Sequence, residues 1–262
     1  MYRQKVTVMP SEAACTGEIK IRALLNRFQD TASLAVADRE GSLGDLIRRG
    51  YGWVLLKYRL EVLTRLPGID ESFTIETRHT LGDGFHTLRA FRVFDTADES
   101  KTLILARTSW VLIDLAASRP VRASQHLPEV FEGLEDVPPI DPEFVSIPRL
   151  KDTPVLSETS FPVRFHDLDT VGHVNNAVYF EWACEATPLD LTVWSVREMH
   201  AEFRVSVRLG ATVLVRVKEA ADFVPQKPCE KTRTFAYEIL ELGESKESLL
   251  ARFLCVWQVM AS

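Results

Sequence analysis

The feature that most restricts the fold of this chain is an order of elements that occurs twice. A short alternating strand candidate, "QKVTVMP", leads into a helix candidate from Arg22 to Arg39, where Ala23, Leu24, Phe28, Ala32, Ala35 and Val36 recur near three and four residues apart. A shorter helical piece in "GSLGDLIRRGYGW" is punctuated by glycines. From Trp53 the period becomes two, or the run becomes continuously apolar, in "WVLLKYRLEVLTRL", "ESFTIETRHTLG", "FHTLRAFRVFD" and "KTLILARTSWVLID". Gly68, "GDG" at 82 to 84 and "DTADESK" at 95 to 101 separate these runs as turns should. The second half restarts the order. "FPVRFHD" is a strand candidate, and a helix is expected from Asn176 to about Thr187 with Ala177, Val178, Phe180, Ala183 and Cys184 to one side. "MHAEFRVSVRLG", "TVLVRVKEAAD", "KTRTFAYEILE" and "SLLARFLCVWQVM" then read as strands. "VLTRLPGIDESFTIET" and "RVSVRLGATVLVRVKE" share a layout of strand, Arg-Leu, Gly turn and alternating strand. Strands that follow one another without intervening helices disfavour a parallel α/β sheet. The expected class is α+β, each antiparallel sheet covering a helix with its apolar face.

Between the copies, prolines at 120, 128, 138, 139, 142 and 149 exclude a central strand. This segment reads as a linker over a surface, with a short helix near Glu129 to Leu134. The expected organisation is a first domain over 1–134, a linker over 135–154 and a second domain over 155–262.

A chain of 262 residues with 46% apolar and 26% charged residues has ordinary globular composition. No apolar run reaches the roughly 18 residues of a membrane span, and the opening segment is too short in apolar residues for a signal peptide. No membrane role and a cytoplasmic location are therefore expected. Cys15, Cys184, Cys229 and Cys255 form no CxxC pair, which offers neither a zinc site nor a disulfide framework. A net charge of −6 without a basic block speaks against nucleic acid as a ligand.

Chemistry concentrates in "HDLDTVGHVNNAVYFEW", residues 166 to 182. Turn bonds from Asp167 or Asp169, a positive φ at Gly172 and a cap from Asn175 or Asn176 would account for each residue singly. A cap needs one short polar residue, however, and here there is a cluster. Asp167, Asp169 and His173 lack a further ligand at metal spacing, so no metal is expected. A hydrolytic site uses all the parts: a helix N-terminus holds a carbonyl oxygen as its charge grows, a carboxylate attacks or takes a proton from water, and an imidazole orients. A thioester is electrophilic enough for this, and no GxSxG serine elbow is present.

The sequence resembles the acyl-ACP thioesterase family, plant-type and bacterial, over nearly its whole length. The second-half motif "DLDTVGHVNNAVYFEW" carries the likeness together with "ALLNRFQDTA", "GYGWVLLKYRLEV" and "ARTSWVLIDLAASRPVR" in the first half. The resemblance implies two hotdog domains in one chain, each a curved antiparallel sheet around a central helix, with the acyl pocket largely in the first and catalysis in the second. It implies hydrolysis of fatty acyl-acyl carrier protein to free fatty acid, without a cofactor, by chains that form dimers in relatives. By the motif, Asp169 corresponds to the catalytic aspartate and His173 to the conserved histidine. Asn176 would supply the oxyanion N–H and Asn175 a structural or water-binding group, while Asp167 is read as scaffold. Gly172, Trp53 and Trp110 are candidates for substrate contact, the last two competing, like Phe85 and Phe91, with a core role.

Two departures stand out. Val171 occupies the position of a family asparagine, and Ser206 and Val207 the positions of a glutamate and a cysteine. An acyl-CoA thioesterase, a hotdog dehydratase or hydratase and a non-hydrolytic acyl-binding protein are the alternatives. Because an acyl carrier protein is acidic, a basic patch drawn from Arg48, Arg49, Lys57, Arg59, Arg119 and Arg122 is expected to receive it.

Overall fold

The computed structural model describes residues 1–37, 42–81, 84–127, 143–149, 151–223, 231–243 and 246–260. The chain divides into two compact units, Met1–Phe144 and Val145–Ser262. That boundary falls within the segment read as a linker. The short helix expected near Glu129 to Leu134 lies outside the described residues, as do Cys229 and most of the "GDG" turn.

In the first unit, strand β1 (Tyr2–Thr7) precedes helix α1 (Ile21–Leu34), the short helix α2 (Leu43–Arg48) and strands β2 (Tyr51–Val62), β3 (Ser72–Leu81), β4 (His86–Asp95) and β5 (Thr102–Asp114). The antiparallel order is β1-β3-β4-β5-β2. A three-residue strand β6 (Arg119–Val121) pairs with β5 and leads into α3 (Ala123–His126), neither of which the sequence pattern signalled. Phe28 of α1 stacks on Phe91 of β4, with ring centroids 4.7 Å apart, and so marks the helix-facing side of the sheet.

The second unit repeats this plan. Strand β7 (Val155–Pro162) precedes helix α4 (Asn176–Ala186), followed by β8 (Trp194–Phe203), β9 (Thr212–Glu219), β10 (Thr232–Leu242) and β11 (Glu247–Val259). Its order, β7-β9-β10-β11-β8, is that of the first sheet. Each unit is a hotdog-like domain of α+β composition. Helix α4 buries Ala177, Val178, Tyr179, Phe180, Trp182, Ala183 and Ala186, on more than the one side expected. A helix apolar nearly all round is stable only when enclosed, and burying each large side chain contributes about 1.5–3 kcal/mol. Phe180 meets Phe253 edge-on at 4.7 Å, and Trp182 stacks with Phe161 at 6.0 Å.

Two polar devices fix the ends of α4. At its C-terminal end the Trp257 indole N–H points to the Tyr237 hydroxyl at 2.9 Å, Tyr237 is 2.8 Å from Thr187 Oγ1, and that hydroxyl donates to the Ala183 carbonyl at 2.7 Å. At its N-terminal end is the loop described next. Two strand expectations change there. "FPVRFHD" leaves the sheet after Pro162 and closes a 3-10 turn at Phe165–Asp167, and "MHAEFRVSVRLG" leaves it after Phe203. In both places backbone groups bond to the neighbouring loop instead of a strand: Val163 N–H donates to Ala211 O at 3.0 Å and Val174 N–H to Val207 O at 2.9 Å.

Candidate active site

The loop from Arg164 to Asn175 is held at its start by Asp167. This carboxylate is buried, and it accepts the Arg164 backbone N–H at 2.9 Å, Nε at 3.0 Å and Nη2 at 2.8 Å. Asp167 therefore does structural work, closing the 3-10 turn. Beyond it, Asp169 N–H donates to His173 O at 2.7 Å and Gly172 N–H to Asp169 O at 3.1 Å, while Asn175 N–H returns to Asp167 O at 2.8 Å. Gly172 sits at φ +78°, and an added Cβ would meet nothing within 4 Å. Its requirement is conformational, not spatial: only glycine adopts this turn without strain.

The loop delivers the chain into α4 with Asn175 as the N-cap, its side-chain oxygen accepting Ala177 N–H at 2.8 Å. One Asp169 oxygen, Oδ1, accepts Val171 N–H at 3.0 Å and His173 N–H at 3.1 Å. Among the described residues no hydrogen bond engages Asp169 Oδ2, the His173 imidazole or the Asn176 N–H. Asp169, His173 and the Asn176 amide thus belong to one closed loop and the first turn of the helix it caps. That turn carries the positive end of the helix dipole. The chemistry such groups can perform is attack by a carboxylate or by water on an electrophilic carbonyl whose oxygen rests on the helix N-terminus.

Helix α4 adds a residue to which the motif assigned no role. Tyr179, one turn beyond Asn175, is buried, and its hydroxyl bonds to the Val207 backbone, the same residue whose carbonyl accepts Val174 N–H. Burial first, and the negative charges of Glu241 and Asp169 after it, raise its pKa well above the usual phenol range against the opposing Val207 backbone bond, so the hydroxyl stays protonated. The sequence signals were its place at the end of the motif and its spacing from the cap, four residues along one helical face.

Val171 is half exposed at the loop tip, Ser206 is exposed, and Val207 is buried as the backbone anchor just described. Among the described residues the buried thiols do not replace the absent cysteine: enclosure pushes the Cys184 thiol up to about 12 and raises Cys255 as well, away from the thiolate a nucleophile needs. Cys15 is exposed. Among the described residues no group of three His, Cys, Asp or Glu side chains gathers to hold a metal ion.

The aromatic candidates of the first unit separate. Ala106 lies opposite Phe91, so the even-numbered residues of β5, Trp110 among them, share the helix-facing side; Trp53 lies opposite Leu112 on that side. Both tryptophans are half-buried, Trp53 against the cluster of Leu46, Leu112, Val121, Ala123 and Leu127, and Trp110 with its indole N–H on Thr108 Oγ1 at 2.7 Å. Phe91 is core, and exposed Phe85 lies under the Arg122 guanidinium. Of the basic patch expected in this unit, Arg59 is withdrawn from the surface. Arg59 is wholly buried, bonded to the Glu143 carbonyl and 3.7 Å from Glu61. Arg48 pairs with Asp45, and Arg49 donates to the His126 carbonyl at 2.7 Å.

Comparison with known proteins agrees with this architecture. The model of the acyl-ACP thioesterase N-terminal domain matches residues 1–131, and that of the C-terminal domain matches residues 150–252. The chain belongs to the acyl-ACP thioesterase family. It is 24% identical over 197 residues to a chloroplastic palmitoyl-acyl carrier protein thioesterase of Cuphea hookeriana, covering 72% of this chain and 47% of that protein. It is 23% identical over 228 residues to one of Arabidopsis thaliana, covering 78% of this chain and 52% of that protein. The chain thus spans about half the length of the curated relatives it matches. Among solved structures, a 12:0-ACP thioesterase from Umbellularia californica superimposes with a TM-score of 0.81 at 16% identity, over 99% of this chain and 94% of that one. A putative oleoyl thioesterase from Lactobacillus plantarum gives 0.80 at 21% identity, over 100% and 97%. These likenesses establish the fold.

Proposed function

We propose that this chain hydrolyses the thioester of a fatty acyl-acyl carrier protein, releasing the free acid. One observation carries the reading: the first unit builds the same loop with Ala14 where the second has Asp169, so the carboxylate is not what the loop needs in order to form. Its free oxygen is then available for chemistry. In the proposed reaction Asp169 takes a proton from water and the new hydroxide bonds to the acyl carbon. The carbonyl oxygen gathers negative charge against the Asn176 N–H while His173 orients the water. Collapse breaks the C–S bond, and the proton on Asp169 passes to the departing thiolate. Direct attack by Asp169 through an anhydride that water then opens uses the same groups. Family membership supports the thioester; the substrates for which the relatives are named support the protein carrier.

The test is thiol release from acyl-carrier protein and acyl-CoA matched in chain length, across about eight to eighteen carbons, with wild type and Asp169→Asn. Positioned acid–base catalysis is worth about 10²–10⁴-fold, and a loss of that size in turnover, with an unchanged melting temperature, is expected. Retention of more than about a tenth of wild-type turnover would remove Asp169 from the chemistry. Val171 and Ser206, at positions polar in the family, favour one rival, a protein that binds acyl groups without hydrolysis. Wild type that binds acyl-carrier protein and releases no thiol, with activity gained by Val171→Asn, would establish that rival.

A further inference from the structure

The surface beside the proposed site has a composition that the fold does not require. Two neighbouring segments form it, residues 164–171 before α4 and residues 204–210 between β8 and β9, joined through the Val174–Val207 and Val163–Ala211 backbone bonds. Large apolar side chains are exposed on both: Phe165 at 72%, Val171 at 48%, Val205 at 55% and Leu209 at 56%. The exposed charged side chains of these segments are Arg164, Arg204 and Arg208, with His166 beside them. Of the carboxylates there, Asp167 is buried against Arg164, and Asp169, part-exposed, turns Oδ1 onto backbone N–H groups. Arg164 is also partly matched by Glu181 at 3.6 Å, whereas among the described residues no carboxylate forms an ion pair with Arg204 or Arg208. In a chain of net charge −6 this is a local reversal of sign.

The first unit supplies an internal control. There the corresponding segment runs from Thr64 to Asp70, in register because Pro67 O accepts Ile19 N–H as Val207 O accepts Val174 N–H, and Glu71 O accepts Val8 N–H as Ala211 O accepts Val163 N–H. In that copy the arginine, Arg65, is closed by both oxygens of Glu71 at 2.6 Å. In the second copy Val205 and Ala211 stand at the positions of Arg65 and Glu71, so this ion pair has no counterpart there, and Arg204 and Arg208 fall at the positions of Thr64 and Gly68. Arg204 also bears on Arg252, which stands opposite Glu238 and Glu202 on the sheet face away from α4. Arg252 is held below its ordinary range by burial first and then by the charges of Arg204 and Arg149, even with Glu238 and Glu202 opposing them.

We infer that residues 164–171 and 204–210 form the docking face for the acidic protein that carries the acyl group, Arg204 and Arg208 meeting its carboxylates and Phe165 and Leu209 its apolar side chains. This rests on the thioesterase reading and names where the partner of that reaction sits. Charge complementarity selects an acidic partner, and the adjoining Asp169 loop explains why it docks here: a flexible acyl-bearing arm anchored at this rim starts beside the N-terminus of α4. The mixed apolar and cationic character fits a folded protein surface better than a free nucleotide, which would engage the arginines alone.

The experiment pairs Arg204→Glu/Arg208→Glu and, separately, Phe165→Ser/Leu209→Ser with wild type. Specificity constants are measured on acyl-carrier protein, on acyl-CoA and on a short acyl-N-acetylcysteamine, and binding of the holo-carrier lacking an acyl group is measured directly. Both pairs are expected to lower the specificity constant for acyl-carrier protein about tenfold or more through KM, and the charge pair to abolish its salt dependence. Hydrolysis of the short thioester should stay within about twofold, since neither pair touches the reacting groups. Unchanged carrier kinetics and unchanged carrier binding overturn the proposal. So does an equal loss on the short thioester, which would mean damage to the site itself, or a loss that follows acyl-CoA equally, which would assign the arginines to a nucleotide phosphate. A change in oligomeric state of the Phe165→Ser/Leu209→Ser protein would give the surface to a second copy of the chain. Should wild type hydrolyse nothing, the catalytic reading fails while carrier binding still decides the docking face.

Discussion

The loop before α1 and the loop before α4 are two solutions of one backbone problem, and only one of them carries reactive groups. Residue for residue, Ala14 N–H donates to Glu18 O at 2.8 Å where Asp169 N–H donates to His173 O at 2.7 Å. Gly17 N–H donates to Ala14 O at 3.0 Å where Gly172 N–H donates to Asp169 O at 3.1 Å. Lys20 N–H returns to Glu12 O as Asn175 N–H returns to Asp167 O, both at 2.8 Å. The glycines sit at φ +84° and +78°. Glu12 and Asp167 close the same 3-10 turn. Against this constant frame, Asp169 faces Ala14, His173 faces Glu18, Asn175 faces Lys20, and Asn176 faces Ile21. What is shared holds the backbone; what differs is the inventory a hydrolytic reaction requires. The helices diverge in the same sense. Among the residues of α1 only Leu24, Leu25, Phe28 and Thr31 are buried, whereas α4 is enclosed on most sides.

The strongest way to break this comparison is to exchange the residue that distinguishes the loops. Asp169→Ala installs the first unit's residue in the second, and turnover is expected to fall by about 10²–10⁴-fold. Two backbone hydrogen bonds to Oδ1 are lost, at about 1 kcal/mol each, and Ala14 shows that the loop closes without them. The reciprocal change, Ala14→Asp in the Asp169→Ala background, should restore nothing, because Glu18 and Ile21 stand where His173 and Asn176 are needed. Thiol release with parallel thermal melts reads both. Recovered turnover in the double variant would show that any carboxylate on this frame suffices.

The doubling, and the α+β class it implies, could be read from periodicity, because alternation and helical spacing are local properties of the chain. The equivalence of the loops could not. The matching Arg-Leu pairs suggested an alignment that places Arg65 against Arg208, while the hydrogen bonds place it against Val205, three residues away. Short-range likeness misled because the bonded atoms are backbone, whose partners no side chain announces. The role of Asp167 as scaffold was legible from its place ahead of the motif's centre. Tyr179 was not, since a tyrosine on an apolar helix looks like core until its hydroxyl is seen on the Val207 backbone. Arg59 dropped out of the expected basic patch for a related reason: alternation along its strand does not say that its side is covered by the segment carrying Glu143.

A smaller effect separates the residues that close the two 3-10 turns. Asp167 is buried and takes three hydrogen bonds from Arg164, whose guanidinium is exposed and can turn to solvent or Glu181, so Asp167→Ala chiefly leaves the Arg164 backbone N–H without its acceptor and empties a buried site; about 1–3 kcal/mol of stability should be lost. Glu12 is less buried and accepts the Met9 N–H at 2.9 Å and the Arg27 guanidinium at 2.7 and 3.1 Å. Arg27 belongs to α1 and can turn to solvent, so Glu12→Ala should cost about 1 kcal/mol. Denaturant midpoints of the two variants measure the difference. Equal losses would mean that burial of Asp167 adds nothing, and the asymmetry drawn between the loops would shrink to Asp169 and its neighbours.

The least effect is expected at Glu71, where the first unit has the closing carboxylate that the second lacks. Arg65 holds this carboxyl below its ordinary range through paired hydrogen bonds, the Gly68 N–H assists, and partial burial opposes. A carboxyl whose folded value is depressed stabilises the fold above its unfolded value near about 4.3, and that contribution disappears as pH falls through the folded value. Arg65 is half exposed, so solvent screens the pair and Glu71→Ala should cost no more than about 1 kcal/mol at neutral pH. The gap between wild type and variant should narrow as the medium is acidified below about pH 4, and it should also narrow at high salt, where exposed pairs weaken. Thermal melts across both series test this. A gap that persists in acid would mean that Glu71 acts through the Gly68 turn and not through Arg65, and the contrast with Ala211 would then concern loop shape instead of exposed charge.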